Sequence, residues 1–70
     1  MKLINTKLLQ ERLGISQSQL SLVISGGRRI SLDLALELKE QTDLPLDFIL
    51  TNKPDRVMSI VSAILEEAAS

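Results

Sequence analysis

Residues 5–27, NTKLLQERLGISQSQLSLVISGG, decide the fold. A first helix opens after Asn5, whose short side chain suits the free N–H groups of a first turn. Ile4 and Leu9 flank that start as a hydrophobic staple, which sets the direction in which the chain enters the helix. Leu9 and Leu13 fall on the inner side, Leu8 partly so, and Gly14 is the residue type that ends a helix in the left-handed conformation. Ile15 turns back into the interior. A second helix over residues 16–25 has the clearest start signal in the chain, with Ser16 and Gln19 as an S-x-x-Q capping box and Ile15 and Leu20 as a second staple. Leu20, Val23 and Ile24 recur at i, i+3 and i+4 and form its buried stripe. Gln17, Ser18, Ser21, Leu22 and Ser25 face the other way. Gly26 and Gly27 stop the helix, and Arg28 and Arg29 occupy the turn that follows.

Working outward, Ser31 caps a third helix with Asp33 at its positive end. That helix runs to about Thr42 and packs through Leu34, Ala35 and Leu38. Leu32 and Leu36 widen its apolar surface toward another helix or a second subunit. Asp43-Leu44-Pro45 is a turn, Leu46 to Leu50 a short fourth helix, and Pro54 the first position of a last one. The last helix covers roughly Asp55 to Ala69. It carries Val57, Met58, Val61, Ile64, Leu65 and Ala68 on one face, for packing in the core or for dimerisation. No strand is expected, although Met1 to Ile4 suits an extended segment. The predicted fold is all-α: a compact bundle of about five short helices in a single domain over residues 1–70, with 54–69 as an added C-terminal helix.

A chain of 70 residues allows one small domain, near the lower end of what a single core stabilises. The hydrophobic fraction of 44% is that of a globular protein, and Phe48 is its one aromatic, so the core is aliphatic. The absence of Cys excludes a disulfide framework and a thiolate metal site, and the absence of His removes the usual general base and the commonest metal ligand. No nucleophilic Ser has a recognisable Lys or Asp partner, and the carboxylates follow solvent faces, so no enzyme is expected. No cofactor, metal or small-molecule ligand is indicated. No apolar run approaches a bilayer span, and the start MKLINTK is too polar for a signal peptide. A cytoplasmic protein away from membranes is expected.

The net charge of −1 hides an asymmetry. Residues 1–30 hold five cations (Lys2, Lys7, Arg12, Arg28 and Arg29) against Glu11, a net of +4. Residues 31–70 hold three cations against eight carboxylates, a net of −5. A basic half on an acidic body suits a polyanion-binding face.

Two helices fixed at a steep angle by a tight turn, with a polar face at the start of the second, form the layout of a helix-turn-helix. Gly14 supplies the turn, and Leu9, Ile15, Leu20 and Val23 the contacts that set the angle. LGISQSQLSLVISGGRR, continued by ISLDLALELKEQTDLPLDFIL, resembles the Cro and phage-repressor helix-turn-helix family over about Asn5 to Leu50. Carried over by position, the resemblance implies that Gln17 and Ser18 read bases, followed by Ser21 and Leu22. A Gln amide can bind adenine through both its ends, and Leu22 can pack on a thymine methyl. It implies phosphate contacts from Thr6, Lys7, Arg28, Arg29 and the backbone near Ser31, which set register without reading sequence. The partners implied are double-stranded DNA and a second copy of the chain, in a homodimeric repressor.

Three departures from the family pattern bear on the fold. Gln10 stands where the family has Ala or Gly at a close helix approach, so it must bend away or make a specific hydrogen bond. Thr6 stands where a longer Gln often holds a phosphate. Only Met1 to Ile4 precede the motif, where the family has a leading helix, and the last helix is expected to cover the surface that helix would cover or to pair with its copy. Two rival functions accompany the repressor. RRISLDLALELKEQTDLPLDFIL also resembles antitoxins of the same superfamily, in which the last helix would bind a toxin. A protein-interaction module that kept the shape and lost DNA binding is the other.

Overall fold

The structure, a computed structural model, describes residues 4–69, with Ala69 through its backbone alone. Three of the described helices begin at a capping side chain and two end on a left-handed residue, each satisfying backbone groups that a helix leaves bare. α1 (Thr6–Leu13) starts at Asn5, whose Oδ1 accepts from the Leu8 N–H at 3.1 Å. It ends at Gly14, with φ 66°, whose N–H donates to the Gln10 carbonyl. α2 (Gln17–Ile24) is enclosed by its caps, Ser16 and Ser25, and so is one residue shorter at each end than the predicted span. The capping box is complete: Ser16 Oγ accepts from the Gln19 N–H at 3.2 Å, and Gln19 Oε1 accepts from the Ser16 N–H at 3.3 Å. Gly26, at φ 83°, turns the chain away.

α3 (Leu32–Thr42) is capped by Ser31, whose Oγ accepts from the Leu34 N–H at 3.2 Å. It ends on Asp43 at φ 61°, among the described residues the one left-handed residue that is not a glycine. α4 (Leu46–Thr51) extends one residue beyond the predicted Leu50, closed by the Thr51 hydroxyl donating to the Asp47 carbonyl at 2.7 Å. α5 (Pro54–Ala69) opens at Pro54, and the Val57 N–H closes its first turn on the Lys53 carbonyl at 3.0 Å. Among the described residues there is no strand. The extended segment expected at Met1 to Ile4 lies outside them except for Ile4, which packs on the core.

All five helices of the described residues enter one aliphatic cluster. Leu9 and Leu13 come from α1, Leu20 and Val23 from α2, Ala35 and Leu38 from α3, Ile49 from α4, and Ile30 from the α2–α3 loop. α5 adds Val57, Met58, Val61 and Leu65, and lies against α1, α2 and α3. Its apolar arc is therefore occupied within the chain. Two residues assigned to that arc sit differently: Ile64 is half-buried and Ala68 is exposed. The buried arc is rotated toward Met58 and Ser62, which leaves Ile64 at its edge, and Ala68 lies a turn beyond Leu65, the last core side chain. Ile24, placed on the buried stripe of α2, is likewise half-buried and packs at the margin.

Two polar contacts tie the elements together. Ser62, in the middle of α5, is 1% exposed and accepts from the Asn5 backbone N–H at 2.8 Å while donating to Glu66 Oε1 at 3.2 Å. Gln41 on α3 donates to the Arg12 carbonyl at 3.4 Å, satisfying one of the bare carbonyls at the end of α1. Gln10 is half-buried and makes no side-chain hydrogen bond among the described residues.

Candidate nucleic-acid interface

The interface is built on α2. Leu20 and Val23 anchor it in the core at 1% and 3% exposure, which fixes the rotation of the helix about its axis. With those positions inward, Gln17, Ser18, Ser21 and Leu22 all face solvent. The side chains of Gln17, Ser18 and Ser21 make no hydrogen bond among the described residues, so their donors and acceptors stand available to a ligand. The neighbouring polar groups are engaged: Ser16 and Gln19 hold each other in the capping box, and Ser25 Oγ donates to the Leu22 carbonyl at 3.3 Å. Leu22 is 45% exposed, and its Cδ2 lies over Gly27, so the loop supports one side of it.

Arg28 and Arg29 follow at once. The Arg28 N–H donates to the Leu22 carbonyl at 3.1 Å, which folds the loop back against the end of α2. Both arginines are exposed and neither forms an ion pair among the described residues. Together with Gln19, Ser31 and the apolar floor of Ile15, Val23 and Leu34 they line an open groove of about 270 Å³ between α2 and the start of α3. The structure thus joins Arg28, Arg29 and Ser31 in one feature beside α2. The Ser31 hydroxyl is occupied in capping, and Asp33 puts a negative charge in the same turn. What α3 offers an anion there is backbone N–H alone. Thr6 and Lys7 lie elsewhere, exposed in the first turn of α1 and outside this groove.

Among the described residues no cluster of Asp and Glu is arranged to hold a metal ion, and no helix is long and apolar enough to cross a membrane. Ser62 is the structural residue that the sequence reading passed over. Its signal would have been a lone small polar side chain one position from Val61 on an otherwise apolar arc.

A short helix clamped by its own cap, turned outward through polar side chains and followed by two arginines, none of them with a side-chain partner among the described residues, defines a helix-turn-helix DNA-binding domain. A family model of the helix-turn-helix matches residues 2–49, and the chain belongs to that family, of the Cro/C1 type. It is a DNA-binding transcription regulator, and its family is one of DNA-binding proteins, not of enzymes. Neither a curated protein nor a solved structure matches the chain at significant similarity.

Proposed function

We propose that this regulator is a repressor that binds a two-fold symmetric operator as a homodimer, with α2 in the major groove of each half-site. The observation that carries the proposal is the polar face of α2 beside the Arg28-Arg29 loop, both without side-chain partners among the described residues. Gln17 and Ser18, at the start of the helix, reach base edges first, and Ser21 and Leu22 follow one turn on. Arg28, Arg29, Lys7 and Thr6 hold phosphates, and the N–H groups after Ser31 add a weaker contact. Blocking a promoter needs nothing more than occupancy of the DNA.

A second copy is expected on two grounds. One eight-residue reading helix buries little DNA surface, and specific binding ordinarily uses two half-sites about one helical turn apart. Leu32 and Leu36 are also 58% and 45% exposed, apolar surface that a partner protomer would cover.

Selection of bound duplexes from a random pool, repeated across a salt series, tests the proposal. The expected outcome is a palindromic site whose affinity falls steeply with salt. A site without symmetry would refute the dimer, and flat, weak binding would refute the interface.

A further inference from the structure

Arg29 lines two grooves, not one. It also borders a second open groove of about 450 Å³, completed by Ile30, Ile49, Leu50 and the α4–α5 hinge, Thr51 to Pro54. The polar hinge side chains are engaged by α4: the Thr51 hydroxyl donates to the Asp47 carbonyl, and the Asn52 amide donates to the Phe48 carbonyl at 2.9 Å. Arg29 and Lys53 are the cations of this groove. Both are exposed and neither has an ion pair among the described residues. Asp47 and Asp55, the carboxylates nearest in sequence, do not line it. Arg29 is thus shared between the groove beside α2 and the groove that Lys53 lines.

We propose that Lys53 is a further DNA-contacting residue, holding a backbone phosphate next to the one held by Arg29 and so extending the footprint past the α2–α3 loop. This rests on the DNA-bound orientation proposed above. The physical case is electrostatic. Residues 31–70 are strongly acidic, so a duplex lying on Arg29 is repelled by the body beyond it unless a cation stands at that edge. Lys53 is the cation placed there. Its side chain leaves the fold untouched, because its backbone carbonyl alone takes part in α5. As a flexible point charge it suits a phosphate oxygen and carries no base preference.

The test measures affinity of the full chain for its selected duplex over a salt series, for wild type and for Lys53→Gln, Lys53→Arg, Arg28→Gln and Lys39→Gln. Loss of one phosphate contact flattens the slope of log K against log salt by about 0.9. Lys53→Gln should show that change, equally on selected and scrambled duplexes. Lys53→Arg should restore the wild-type slope, and Lys39→Gln, on α3 and outside both grooves, should leave it unaltered. An unchanged slope for Lys53→Gln beside a flattened one for Arg28→Gln overturns the proposal and leaves the DNA-binding face standing. A flattened slope that Lys53→Arg fails to restore also overturns it. Wild type without a salt-dependent slope overturns the interface itself, and this proposal with it.

Discussion

The backbone N–H of Asn5 donates to the hydroxyl of Ser62 at 2.8 Å, a hydrogen bond between the cap of α1 and the middle of α5. The Asn5 side-chain oxygen already accepts from the Leu8 N–H, and Ser62 receives the backbone N–H of the cap, which α1 cannot use. The first helix of the DNA-binding motif is thus positioned by a residue 57 positions away.

Ser62→Ala should lower stability by about 1–2 kcal/mol, because it removes the acceptor of a partly buried N–H. For a domain of this size that is a drop in melting temperature of roughly 4–16 °C. Calorimetry checks it, and an unchanged melting temperature would show that water replaces the hydroxyl at no cost.

Gln17→Ala and Arg28→Ala should fail in different ways. The first should relax preference at one base position by about 1–3 kcal/mol, and the second should weaken binding to all duplexes alike. Competition titrations with single-base operator variants separate the two. Identical profiles would refute the division between base reading and phosphate holding.

Leu22 should be sensitive to a single methyl group. Replacing the thymine it faces with uracil should reduce wild-type affinity by about 0.8 kcal/mol, the worth of one buried carbon. The same replacement should leave the affinity of Leu22→Ala unchanged. Equal losses in both proteins would place Leu22 away from the base.

Gly14→Ala should destabilise by about 1–2 kcal/mol through its backbone alone, since a left-handed alanine is strained and a Cβ at this position meets nothing within 4 Å. Urea denaturation measures it. A larger loss would mean that the turn between α1 and α2 opens as a whole.

The helix starts were legible because their signals are local. Asn5 to Leu8, Ser16 to Gln19 and Ser31 to Leu34 are each three residues apart, so side-chain type and spacing were enough. The family assignment, resting on that same stretch, was legible for the same reason. The long-range polar contacts were not. Ser62 reads as an ordinary helical serine until the rotation of α5 is known, and Gln41 meets Arg12 across 29 residues with no spacing to announce it. Asp43 was seen as part of a turn, but its left-handed backbone was hidden because aspartate favours that region only weakly. The groove that Arg29 and Lys53 share was not legible either, because the two are far apart in sequence.

The sorting of side chains around α2 has a consequence for how such a regulator changes over time. Leu20 and Val23 maintain the fold, Ser16 and Gln19 maintain the helix, and Gln17, Ser18 and Ser21 touch neither task. On the base-reading roles proposed for them, operator preference can drift by single substitutions while the folded population stays constant. A library randomised at 17, 18 and 21 should yield mostly folded proteins with new DNA targets, which makes this helix a replaceable key on a permanent handle.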